Sequence, residues 1–208
     1  APDPIINTLI YAGFATVIGI AFATLVSFLI VKKRTMLTPL IDSLTALPLA
    51  LSGTVIGIGL VMSFNAGFLP MTGTGAIIVL AYIIRRLPFG VRNASSTLYN
   101  IPDSIEEAST SLGVPPIRSF FAVVLPLMVP AIVAASVLTW TTTVAELSAS
   151  IIVYSGGRET LPIKIFRLID SGLMAQASAY GLILIAIIIV PIILATRLGK
   201  VDLFASRS

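Results

Sequence analysis

Long apolar stretches separated by short polar interruptions run the length of this 208-residue chain. Residues 7–31 carry no charge and exceed the roughly 20 residues a helix needs to cross the hydrocarbon core of a bilayer. They run into Lys32, Lys33 and Arg34. Comparable stretches cover about 44–64, 70–91, 120–147 and 177–196, which predicts five spanning helices in an all-α integral membrane protein. The second holds Pro48 near its start and a Gly53-x-x-x-Gly57 pair, with Gly59 beside it. Such spacing lets another helix come close. The third, mostly Ala76 to Ile84, is brief and must borrow from Phe68 onward or from Leu87 to Val91; it runs into Arg85, Arg86 and Arg92. Pro126 and Pro130 interrupt the fourth, which membrane helices tolerate when neighbours satisfy the freed carbonyls. Leu161 to Ile169 interleaves apolar residues with Lys164 and Arg167, a pattern suited to lying flat at a membrane surface.

Composition agrees with that reading. The chain is 57% hydrophobic and 11% charged, where a soluble domain carries about 25% charged residues. Its net charge of +4 does not point to nucleic acid, because the basic residues are scattered between spans rather than clustered with aromatics. They sort by side instead. Lys32, Lys33, Arg34, Arg85, Arg86, Arg92, Arg118, Arg197, Lys200 and Arg207 fall on one side, and Arg158, Lys164 and Arg167 on the other, ten against three of the 13. The positive-inside rule then puts the N-terminus outside and the C-terminus in the cytoplasm. Ala1 to Pro4 lacks the charge of a signal-peptide n-region, so the chain reads as a segment of a longer polypeptide or a processed one. With neither Cys nor His, thiol chemistry, disulfides and the commonest metal ligands are excluded.

One polar interruption differs from the others. In Asp103 to Pro126, Ser104 is placed as an N-cap with Glu107 completing a capping box, and Ile105, Ala108 and Leu112 share a face. Gly113 then stops the helix and Pro115 and Pro116 forbid its continuation. Taken alone, this is an amphipathic linker at the cytoplasmic surface. The run Glu107-Ala108-Ser109, three residues, Gly113, and then Val123-x-Leu125-Pro126 resembles the EAA motif of binding-protein-dependent ABC importer permeases. Ser109 stands for the second Ala of that motif, and Val123 for its Ile.

The resemblance covers most of the chain and implies the five-helix core of a type I importer permease. It makes residues 104–113 a coupling helix seated in a cleft of a cytoplasmic ATPase. Glu106, Glu107, Ala108, Ser109, Gly113, Leu125 and Pro126 would then be the ATPase-coupling residues. The implied partners are an ABC ATPase dimer, a second transmembrane half or homologous permease, a periplasmic or lipid-anchored substrate-binding protein, and membrane lipid, in a bacterial inner membrane. ATP and magnesium belong to the ATPase, so no cofactor is expected in this chain. The segments RRLPFGVRNA, TVAELSASIIVYSGGRETLPIKIF and GLMAQASAYG look most like the ferric iron permeases, with thiamine, phosphonate, sulfate and polyamine importers left open.

Few residues offer chemistry. Glu106 and Glu107 point about 100° apart on a helix and do not form an acid/base pair. Glu146 follows a run of hydroxyls near a span, and an intramembrane carboxylate is a functional candidate. With Thr139, Thr142 and Thr143 it would line a translocation path, offering oxygen ligands to a hard cation or its chelate. The plainer alternative is a solvated interfacial carboxylate, or one paired with Arg158. Nothing in the pattern fixes a metal site. Arg85 and Arg86 either anchor the inner end of a helix or bind an anionic substrate. Arg158, Lys164 and Arg167 either receive a binding protein or are solvated loop charges, and Trp140 suits an interfacial anchor. No Gly-Lys-Ser/Thr phosphate loop occurs, so the chain is not expected to hydrolyse ATP itself. An ion channel or secondary transporter is the competing class. It would need midplane coupling carboxylates, for which Glu146 stands alone, and would leave the coupling loop unexplained. A membrane-embedded enzyme lacks clustered carboxylates as well as His and Cys.

Overall fold

A computed structural model describes residues 3–33, 35–66 and 69–199. Ala1, Arg34, Phe68, Lys200 and Arg207, which entered the readings above, lie outside the described residues. The described residues are helical with no strand: α1 Pro4–Lys32, α2 Thr38–Ala50, α3 Gly53–Phe64, α4 Gly75–Tyr99, α5 Asp103–Ser111, α6 Pro116–Ser119, a π-helical turn Phe120–Val124, α7 Leu125–Val144, α8 Ser150–Val153, α9 Leu161–Asp170 and α10 Met174–Gly199.

The spine is α1 packed along α4, and its sequence is inverted relative to a soluble helix. Ala12, Ala15, Gly19 and Ala23 face inward, while Phe14, Val17 and Phe22 are 59%, 70% and 51% exposed. Lipid removes the hydrophobic drive between helices, so small residues that permit close backbone approach take the interface and large ones face the tails. Two clusters form along this spine. One joins Tyr11, Ile56, Ile77 and Tyr82 with Val153 near the start of α1, and the other joins Ile30, Val91, Leu98, Phe120 and Met128 near its end.

Among the described residues, three helical runs are long and apolar enough to cross a membrane: Pro4–Lys32, Ile117–Val144 and Met174–Arg197. The second predicted span is not one helix. It is the pair α2 and α3, bent by 111° at Leu51 and Ser52, and it supplies a fourth crossing if the pair is one broken span. Ser52 accepts the amide of Val55 as N-cap and restarts the chain in a new direction. The third predicted span is longer at its C-terminal end than expected: α4 continues through Pro88 to Tyr99 and carries Arg85, Arg86 and Arg92 within it.

Prolines account for two local departures. Just before Pro126 the helix widens into a π turn in which Leu125 N–H bonds Phe120 O, making room for the proline ring against the preceding turn. In α10, Pro191 cannot donate to Ile187 O, and the indole of Trp140 donates to that carbonyl at 3.2 Å. Trp140 is therefore a buttress between α7 and α10.

Candidate functional site

Glu146 follows the end of α7 and is 4% exposed. Its Oε2 accepts Arg85 Nε at 3.0 Å and Arg86 Nη2 at 2.9 Å, and its Oε1 accepts Ser148 Oγ at 2.9 Å and Ala149 N at 3.3 Å. The ion pair proposed for it with Arg158 is not formed. Arg158 Nε instead donates to Gly73 O in the loop before α4. With four donors on its two oxygens, the carboxylate has no lone pair left over for a cation. Among the described residues no group of three or more Asp, Glu, His or Cys side chains is placed to hold a metal ion.

The arginines sit in the middle of α4 rather than at either end. Arg86 is about 17 Å along the helix from Gly75 at 1.5 Å per residue. Chain interruptions converge on them. The break between α2 and α3 comes so close that a Cβ at Gly53 would lie 2.4 Å from Arg85 Nη1. A Cβ at Gly57 would lie 2.8 Å from that of Ile152, so the small pair of α3 seats against the segment following Glu146. Two cations face one anion, and the cluster keeps one net positive charge.

The predicted threonine path is only partly assembled. Thr139 and Thr143 are buried, and Thr142 is exposed with its hydroxyl donated to Leu138 O and Thr139 O of its own helix. Thr139 and Thr142 join Arg86, Phe89, Asn93 and Leu138 around a cleft of about 240 Å³ between α4 and α7. Thr143 Oγ1 is buried without a hydrogen-bond partner and is not among the residues lining that cleft.

At the other end, α5 buries no residue. Glu107 and Ala108 are exposed, Glu106 and Ser109 half-buried, and Leu112 is 85% exposed. Gly113 has φ +84°, a conformation that glycine adopts without Cβ strain, and it ends the helix there. Leu125 is half-buried and Pro126 exposed, at the start of α7. The capping box does not form. Pro102 is the N-cap, with no side-chain cap bond, and Ser104 lies inside the first turn. The start of α5 is fixed instead by Lys32 Nζ, which donates to Ile101 O at 2.9 Å and to Asp103 Oδ1 at 2.5 Å.

The segment leading into α9 is laced to α1. Asn7 Nδ2 donates to Glu159 O at 3.0 Å, and Leu161 N donates to Thr8 Oγ1 at 2.7 Å. Arg167 pairs with Glu159. Lys164 is half-buried on α9, whose apolar face at Leu161, Ile163 and Leu168 is buried. Sequence reasoning missed both the Arg85–Glu146–Arg86 cluster and the Lys32–Asp103 tie. A signal for the first was present, since charges within otherwise uncharged spans tend to pair with one another.

Residues 15–201 match the family described as the binding-protein-dependent transport system inner membrane component. The ferric transport system permease protein FbpB of Actinobacillus pleuropneumoniae is 32% identical over 183 residues, 88% of this chain and 27% of that protein. The putative 2-aminoethylphosphonate transport system permease protein PhnV of Salmonella paratyphi A is 34% identical over 154 residues, 74% of this chain and 58% of that protein. Of solved structures, a bacterial alginate ABC transporter in complex with an alginate pentasaccharide-bound periplasmic protein matches with TM-score 0.77 and 17% identity, over 94% of this chain and 78% of that one. The MetNI methionine ABC transporter, in inward-facing conformations, matches with TM-score 0.73 and 17% identity, over 95% and 91% of the two chains. These structural likenesses are of fold. The chain spans 27%, 23% and 37% of the length of three FbpB relatives.

Proposed function

Because the chain belongs to the binding-protein-dependent transport system inner-membrane components, we propose that it is the permease unit of an ATP-driven importer and that its cargo is ferric iron. The transport reading is carried by one observation. A capped-off helix, α5, stands exposed at the foot of the bundle with no residue buried against its own chain, as a surface kept for another protein would. The proposed occupant is a cytoplasmic ATPase, which would hold the ATP and magnesium. Glu107, Ala108 and Gly113 would meet it, with Glu106, Ser109, Leu125 and Pro126 supporting them. The ferric reading draws on the identity to FbpB across most of the chain. A phosphonate cargo is the second reading, favoured by the comparable identity to PhnV.

In this proposal α4 is the fifth crossing, its arginines accommodated at membrane depth by Glu146. The N-terminus lies outside and the C-terminus in the cytoplasm. The outer loops meet a binding protein, and a second transmembrane half completes the path. Closure of the ATPases would move α5, and the Lys32–Asp103 tie passes that displacement to α1. The broken elements around Glu146 are where the inward- and outward-facing states would exchange. The test is ATP hydrolysis by the assembled complex in lipid, with Glu107→Arg as the variant. Reversing charge on the docking face is expected to abolish stimulated hydrolysis or assembly. Unchanged hydrolysis and transport would reduce α5 to a linker.

A further inference from the structure

The Arg85–Glu146–Arg86 cluster holds more positive charge than its own carboxylate can balance. Both guanidiniums share Oε2, and the remaining carboxylate oxygen is taken by Ser148 and Ala149. Arg86 spends one nitrogen, Nη2, on both Glu146 Oε2 and Thr142 O, while its Nε is buried with no hydrogen-bond partner among the described residues. The same side chain lines the cleft of about 240 Å³ between α4 and α7. Its neighbours there fall at helical spacing on each wall: Phe89 and Asn93 below Arg86 on α4, and Thr139 and Thr142 on α7. A stripe bearing a cation, an amide and hydroxyls is costly against lipid tails, so this face belongs to a water-filled path or to the seam with another protein.

Resting on the importer reading above, we propose that this cleft is a cargo subsite for an anionic oxygen group, with Arg86 as its cationic contact and Asn93 and Thr139 as polar flanks. The group is borne either by a free oxyanion or by the anionic shell around a metal ion. A bare cation is disfavoured on both counts the cluster offers, since it would meet net positive charge and find no free carboxylate oxygen. A planar guanidinium is suited to oxyanions because its donors are held in a fixed fork.

The test uses the complete importer in nanodiscs of zwitterionic lipid. Phenylglyoxal attacks guanidinium groups, and mass spectrometry reads its rate at Arg86, with the outer-loop Arg158 as the internal reference. Methylphosphonate or ferric citrate is expected to slow modification of Arg86 roughly tenfold relative to chloride at equal ionic strength, the size of one charge-assisted hydrogen bond. Protection by methylphosphonate identifies a free oxyanion. Protection by ferric citrate but not by iron-free citrate identifies a metal-borne one. Protection by neither overturns the proposal. So does protection that arises from anionic lipid with no probe added, which would make a headgroup the occupant.

Uptake into proteoliposomes supplies a second arm. Arg86→Gln is expected to lower uptake of the protecting probe roughly tenfold and Arg86→Lys, which keeps the charge, clearly less. Equal loss in the two variants would make Arg86 a structural link and overturn the site. Where Arg86 proves unreactive in chloride, this uptake series decides. Stimulation of wild-type ATP hydrolysis by the cargo-loaded binding protein is read separately. Without it the importer reading fails, whereas stimulation without anion protection removes only the subsite.

Discussion

Glu146 shows how much one residue can organise in a chain that is only 11% charged. It holds two arginines of α4, the hydroxyl of Ser148 and the amide of Ala149, and so fixes the non-helical stretch after α7 onto the middle of α4. Removing one partner of a buried ion pair leaves an uncompensated charge, which costs about 3 kcal/mol. Glu146→Gln is therefore expected to lower the melting temperature of the purified protein markedly. The triple variant Arg85→Met, Arg86→Met, Glu146→Met should recover much of that loss, because apolar residues of similar size replace a buried ion cluster at little net cost. Equal melting temperatures for wild type and Glu146→Gln would show that the cluster is hydrated rather than buried.

At the scale of elements, the broken and widened helices follow from proline chemistry together with what a neighbour provides. Trp140 of α7 bonds the carbonyl of Ile187 that Pro191 leaves unpaired in α10, so the two helices are joined at a defect. Trp140→Phe should destabilise by about 1 kcal/mol. In a Pro191→Ala background the restored amide satisfies Ile187 O within α10, and the same substitution should have a smaller effect. Additive effects across this double-mutant cycle would mean that the indole contributes packing alone. Helix α5 was legible as an element, since Gly113 and the following prolines end it where expected. Its first turn was not. Ser104 had the residue type of an N-cap, but the start is set by Lys32 from 71 positions away, and no local pattern encodes that.

For the whole molecule, the orientation of the chain is the proposal most open to a direct check. The sequence contains no cysteine, so single cysteines can be introduced against an empty background. Thr110→Cys on α5 and Gly156→Cys in the loop between α8 and α9 are both exposed positions. In sealed vesicles of known sidedness, an impermeant maleimide should label them from opposite sides, Gly156→Cys from outside and Thr110→Cys from the cytoplasmic side. Labelling of both from one side would remove the crossing assigned to α7, and the opposite assignment of sides would invert the proposed orientation.

Apolar length and charge placement determined, from sequence alone, that this is a helical membrane protein and roughly where most of its long helices run. Residue spacing around Glu107, Gly113 and Pro126 marked its family. These features were readable because lipid imposes a length and a polarity on each helix independently of its neighbours. The tertiary structure decided the rest. It bent residues 38–64 at Ser52 and seated Gly57 against Ile152. It also took Glu146 from Arg158 and gave it to Arg85 and Arg86. Each of those outcomes is a choice among partners distant in sequence. Such a choice is settled by which backbones approach closely enough, and which buried charges and carbonyls remain to be satisfied once they do.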